Sequence, residues 1–423
     1  MSARPRSLPR IWLVMALALT TLLVQQLQLR EAVRARDAAL RETDPEFALR
    51  KGHDAVRAGR LREADALYRI AIGGTGTRIH ATIALEQLHR FRGYELQSNE
   101  ARLAELLARL GPGFARFESD HFVVLSDGKP SWAHGRLRIM EHTRREFMRQ
   151  AQALGLGVVP HEEKLVGILF RDHADYREFA AEVDGVESPW VAGYYTLSGN
   201  RVVFYDDRTS PAVAQALRRI DDEVESREPS RRGVTGRTTT RGLAGTIRPS
   251  AEPDRTLLLE RRASIEAQAE SFAVAKIVHE TVHLLSFNCG VQRGDRSYPI
   301  WVSEGLSLAF ETDQPDRAFG PFHASEDRER SYLDLKHADK LIAWEDMIGL
   351  TSVPEGDHAV QSVYAQSYVL FTVLATQRRE DLRRYLDDLT HGSSPPTTPS
   401  EHRRAFERHV GPVSELERLF PQP

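Results

Sequence analysis

A single cysteine, Cys289, stands in a chain of 423 residues, so a disulfide framework, an iron–sulfur cluster and a cysteine-built zinc knuckle are excluded by count. Charge of one sign is missing too, with 57 Lys+Arg facing 60 Asp+Glu for a formal net charge of -3. Without a basic field to release counterions from a phosphate backbone, nucleic acid is not an expected partner. Long hydrophobic runs are scarce. The run from Ile11 to Val24 is 14 residues, short of the roughly 20 that cross a bilayer comfortably as a helix. The rest is ordinary globular composition, 41% hydrophobic and 28% charged, long enough for two or three domains. Any metal in such a chain has to be held by histidine and carboxylate.

Arg4, Arg6 and Arg10 precede the apolar run, which is the layout of an export signal. No small-x-small cleavage site follows; Gln25, Gln26, Leu27, Gln28 and Leu29 lead straight into a charged helical pattern. Residues 1–30 are therefore expected to be a signal or anchor segment. An uncleaved anchor that borrows Leu27 and Leu29 is favoured over a cleaved secretory signal. In either case the basic flank stays cytoplasmic and the remainder is exported. The expected location is the cell envelope, with an inner-membrane anchor and a periplasmic globular part.

Residues 45–112 have a helical pattern, with Gly52, Gly59, Ala64, Tyr68 and Ala71 at the small and aromatic positions of a helix-turn-helix repeat. This stretch resembles one tetratricopeptide unit, and the resemblance implies a helical hairpin able to carry a protein partner. Plain packing against the next domain is the competing role. Residues 115–210 change texture: His121–Asp127 and Lys164–Phe170 read as strands, and Arg136–Ala153 as a helix. Ser198, Gly199 and Asn200 sit between two strand-like runs, a hairpin signal. Residues 211–256 read as a low-complexity loop, rich in Ser, Thr, Gly, Pro and Arg from about 222 on. Residues 257–423 are helical again.

The informative segment is SFAVAKIVHETVHLLSFN. His279 and His283 are one helical turn apart, so both imidazoles project from one face and two nitrogens can meet one ion. Glu280, one step round the helix, reaches a water on that ion and not the ion itself. A pair of core histidines is the plain alternative. Catalytic zinc usually takes a third protein ligand. Downstream, PIWVSEGLSLAFE offers two carboxylates, Glu304 and Glu311, two turns apart on one helix face.

At this point WVSEGLSLAFE resembles the Trp-x-x-Glu-Gly helix of the gluzincin peptidases, whose glutamate is the third zinc ligand. The resemblance implies His279, His283 and Glu304 as the Zn2+ ligands and Glu280 as general base. Glu311 is left between a hydrogen bond to a ligating histidine and a solvated face. VYAQSYVLFTVL is similar to the tyrosine-bearing helix of aminopeptidase-N-like gluzincins and implies Tyr364 as the catalytic phenol; its spacing from Glu304 favours it over Tyr368. Two departures bear on the activity. The stretch between His283 and Glu304 is slightly longer than in the aminopeptidases, and no Gly-x-Met-Glu-Asn element, which in that family grips a free amine, occurs upstream. An endopeptidase is therefore expected over an exopeptidase. Residues 115–420 as a whole are similar to the peptidase-MA-like bacterial envelope proteins.

The expected fold is α+β: a zincin-like metallopeptidase domain, mixed sheet plus active-site helices, behind a tetratricopeptide-like hairpin. The expected activity is hydrolysis of a peptide or protein substrate, extended along a sheet edge assigned to Arg201–Tyr205. A non-catalytic envelope scaffold and a zinc hydrolase of another bond are the alternatives.

Overall fold

The computed structural model describes residues 44–90, 94–188, 191–227, 252–354 and 356–422. The signal or anchor segment and residues 228–251 lie outside them. Among the described residues the fold is α+β, mostly helical with one small mixed sheet, and the chain divides into two compact units.

The smaller unit takes the chain as far as Gln97, together with Gly157–Glu162 and Asn288–Val291. Its helices are α1 (Pro45–Arg57), α2 (Leu61–Ile72) and α3 (Arg78–His89). Asp44 opens α1 by accepting the Glu46 N–H, and Gly59 makes the turn to α2 at φ 72. Ala48, Ala55, Ala64 and Ala71 are fully buried, and a Cβ on Gly52 would run into the Tyr68 ring. Small side chains thus let α1 and α2 close into a helical hairpin, with α3 as a third helix. On α2, Asp65 is surrounded by Arg69 Nε at 2.8 Å, Tyr94 Oη at 2.8 Å and His89 Nε2 at 3.0 Å.

The larger unit begins with α4 (Glu100–Leu110), β1 (Ala115–Glu118), β2 (Phe122–Ser126), α5 (Pro130–Ala153) and β3 (Leu165–Phe170). It continues with α6 (His173–Asp184), β4 (Tyr194–Thr196), β5 (Arg201–Tyr205) and α7 (Pro211–Arg227). The strand order is β1-β2-β3-β5-β4. β2, β3 and β5 run parallel, while β1 and β4 are antiparallel to their neighbours. The three parallel strands are buried at every residue, which explains their unbroken apolar runs. Val123, Leu125, Val166, Ile168, Phe170, Val203 and Tyr205 share a core with Tyr176, Phe179 and Ala180 of α6 and with Leu103 and Leu106 of α4. Helix α4, which the sequence pattern grouped with residues 45–112, therefore belongs to the sheet's core.

Two expectations are corrected. Residues 211–256 are not a loop throughout: 211–227 form α7, and Glu252 already begins the next helix. The Val213, Leu217 and Ile220 spacing is helical, and the polar texture of the later residues masked it. Second, Arg201–Tyr205 is not an edge. β5 is paired on both sides, by β3 and by β4, so the edge on this side of the sheet is β4, with β1 at the other.

The remaining α-helices among the described residues are α8 (Glu252–Asn288), α9 (Ile300–Phe310), α10 (Glu326–His337), α11 (Trp344–Met347), α12 (Asp357–Gln377), α13 (Arg379–His391), α14 (Pro399–His409) and α15 (Val413–Leu416).

Candidate metal centre

The second half of α8 is apolar on almost every side: Ala269, Ala273, Ile277, Val278, Val282, Leu284 and Leu285 are all buried. A polar side chain in such a helix costs stability unless it finds a partner. Lys276 finds Asp207, with Nζ 2.7 and 2.9 Å from the two carboxylate oxygens, and lies 4.3 Å above the Tyr205 ring. Gly193 makes room for it, because a Cβ there would stand 2.9 Å from Lys276 Cδ. One turn further along α8 come His279, Glu280 and His283.

Three residues seat α9 against them. Trp301 is fully buried, stacked on Tyr385 of α13 at 5.6 Å and edge-on to Phe406 of α14 at 5.8 Å. Gly305 lies where α9 crosses α12; a Cβ would stand 2.5 Å from the Ser367 carbonyl oxygen and 2.8 Å from Phe371 Cβ. Gln292, 1% exposed, bridges the two helices: its Oε1 accepts from Ser286 Oγ of α8 at 2.8 Å, and its Nε2 donates to Ser303 Oγ of α9 at 2.7 Å. The stretch between His283 and Glu304 is thereby tied to both helices.

The result is a convergence of three side chains with ligand atoms. His279 Nε2 and His283 Nε2 are 3.2 Å apart, His279 Nε2 is 3.3 Å from Glu304 Oε2, and His283 Nε2 is 3.5 Å from Glu304 Oε1. The side chains are 10 to 15% exposed. Two imidazole nitrogens facing each other with a carboxylate beside them repel through their lone pairs, so the arrangement calls for a shared proton or cation. The separations fit a metal: corners of a tetrahedron about 2 Å from its centre lie about 3.3 Å apart, and zinc takes nitrogen and oxygen ligands at that radius. Among the described residues His279, His283 and Glu304 are the group of histidine and acidic side chains close enough to share an ion. Burial works to protonate Glu304, but His283 and His279 outweigh it and hold its carboxyl well below the usual range.

Glu280 stands outside that group. Its Oε2 accepts the Tyr195 backbone N–H of edge strand β4 at 2.9 Å. Burial raises its proton affinity against the pull of the two histidines. Glu311 ends α9, and its Oε2 lies 3.0 Å from His279 Nδ1 while Oε1 accepts from Arg328 Nη2. Of the two roles weighed for Glu311, the contact with a histidine is the one seen. Tyr364 places its ring 6.5 Å from the His279 ring. Glu304 first, then burial, push its phenol well above the ordinary value, so it remains an O–H donor. Tyr368 is turned elsewhere: 1% exposed, its Oη accepts the Ser325 N–H at 2.7 Å.

The structure therefore brings His279, Glu280, His283, Glu304 and Tyr364 into one neighbourhood. Gln292, Arg328 and the Tyr195 amide escaped the sequence reading. Gln292 and Arg328 lie in polar stretches with no recognisable spacing, and a backbone amide leaves no mark on sequence.

Residues 273–396 match a family described as a protein of unknown function (DUF1570), a span that takes in all five of these side chains. No curated protein matches the chain.

Proposed function

We propose that the protein is a zinc-dependent metallopeptidase of gluzincin type, exported or membrane-anchored, that cleaves peptide bonds internally. The observation that carries this reading is the convergence of His279, His283 and Glu304 with Glu280 beside them but outside the donor set. The larger unit is then a zincin-like domain, and the α1–α2 hairpin a tetratricopeptide-like element. His279, His283 and Glu304 would hold a zinc ion, which when bound would supply Lewis acidity toward the scissile carbonyl and the attacking water.

The chain's own groups do the rest. Glu280 takes the proton of the attacking water and returns it to the leaving amine, and its raised proton affinity suits a group that must hold that proton between steps. The Tyr195 N–H fixes the direction of its carboxylate. Tyr364, kept protonated by the carboxylates around it, donates to the oxyanion that develops on the carbonyl oxygen. β4 is the sheet edge that reaches Glu280, and an extended substrate adds to it as a further strand.

The test pairs metal analysis of the purified protein with digestion of matched peptides, one N-acetylated and one with a free amine. Bound zinc and internal cleavage of both peptides support the proposal. Zinc without cleavage points to a scaffold, and release of single N-terminal residues from the free-amine peptide alone points to an aminopeptidase.

A further inference from the structure

Both oxygens of Glu311 are engaged. Oε2 faces His279 Nδ1 at 3.0 Å, and Oε1 accepts from Arg328 Nη2. The position is electrostatically awkward. Glu311 sits at the C-terminal end of α9, where the helix dipole disfavours negative charge, and its side chain is only 20% exposed. A histidine acting as a metal ligand is neutral and cannot compensate a full negative charge. Arg328 can.

Arg328 is held in its turn. It lies in the first turn of α10, three residues after the N-cap residue Ser325, whose backbone N–H is bound by Tyr368 Oη at 2.7 Å. Tyr368 belongs to α12, one turn beyond Tyr364. A line of contacts thus runs from α12 through the start of α10 to the end of α9, and from there to the imidazole on α8. A carboxylate gripped at both oxygens cannot rotate about its last bond. Its grip on Nδ1–H fixes the ring plane and keeps the proton on Nδ1, leaving the Nε2 lone pair free. The planar guanidinium holds that direction better than an ammonium, which is a point charge on a flexible stem.

We propose that Arg328 is a positioning residue of the metal centre: by holding the Glu311 oxygen that does not contact His279, it fixes the imidazole in the orientation and tautomer that turn Nε2 toward the ion. This inference rests on the reading of His279, His283 and Glu304 as metal ligands.

The experiment uses the full-length protein and the metals alone. Zn2+ affinity is measured by competition with a chelating indicator, and the geometry of the site by the visible absorption of the Co2+-loaded protein. R328Q is expected to weaken Zn2+ binding about 10- to 100-fold and to shift the Co2+ bands, with the helical circular dichroism signal unchanged. R328K is expected to recover part of the loss. E311Q should lose a similar factor, and the R328Q/E311Q double variant no more than the worse single one, because both act through one imidazole. Wild-type affinity and spectrum in R328Q, with both altered in E311Q, would overturn the role of Arg328 and leave the metal centre standing. Full additivity of the two losses would overturn it as well. If R328Q loses its helical signal, R328K carries the test: weakened binding supports the role and unchanged binding overturns it. A wild-type protein that takes up neither ion overturns the metal reading and this inference with it.

Discussion

Glu280 and Glu304 are both glutamates near two imidazoles, yet their surroundings drive them apart. His283 and His279 hold the Glu304 carboxyl below its ordinary range against the effect of burial; at Glu280 burial dominates and raises the proton affinity. His279→Ala, His283→Ala and Glu304→Ala are each expected to abolish stoichiometric zinc, measured by metal analysis after gentle purification. Glu280→Gln should keep the zinc and lose about 10²- to 10⁴-fold in turnover; loss of zinc in that variant would show the two roles are exchanged. Tyr364→Phe should likewise retain the metal and lower kcat about 10²- to 10³-fold, the usual cost of deleting one oxyanion donor. A kcat unchanged in steady-state assays would return Tyr364 to a packing role.

Among the elements, the crossing of α9 and α12 carries both Glu304 and Tyr364, and Gly305 sets its closeness. Gly305→Ala must push the Ser367 carbonyl and Phe371 away, which overpacking series put at about 1–3 kcal/mol. The variant is expected to melt earlier and to bind zinc more weakly, because the shift moves Glu304 from both histidines. A lower melting temperature with unchanged zinc affinity would mean α9 moves as a rigid piece together with α8. In the smaller unit, Asp65 tests the α2 network. Burial opposes its charge, but His89 and Arg69 hold its carboxyl far below the ordinary value. A depressed folded value means this stabilisation is complete above the unfolded carboxylate value of about 4 and is lost as pH falls below it. Asp65→Asn should therefore destabilise the unit near neutral pH, and its deficit relative to wild type should shrink in acid. A deficit independent of pH between 2 and 6 would argue for shape over charge.

For the whole molecule, no helix among the described residues is long and apolar enough to cross a membrane. On the function proposed above, attachment rests on the signal or anchor segment read in residues 1–30. Removing it should leave a protein that stays in the supernatant when membranes are sedimented, with the zinc affinity of the full chain. A truncated protein that still sediments with membranes would place an attachment elsewhere.

What the sequence determined by itself is whatever depends on neighbours along the chain. The i, i+4 spacing of His279 and His283 puts two imidazoles on one helix face wherever the helix lies, and Glu280 is directed beside them by the same geometry. The apolar runs of β2 and β3 announced strands, and Ser198-Gly199-Asn200 announced the hairpin between β4 and β5. Short β1 and helix α6 carried no such pattern and were not foreseen. Only the tertiary structure decided which strand is the edge, since pairing order is a contact between distant segments: β5 looked like an edge and is enclosed, while the three residues of β4 hold the open side. The same holds for the choice between Glu311's two roles, for the Arg328 that grips it and for the Gln292 brace between α8 and α9. Each depends on where a side chain meets another element, and that is set by the packing of Trp301, Gly305 and their neighbours, a property of the assembled core that no local spacing encodes.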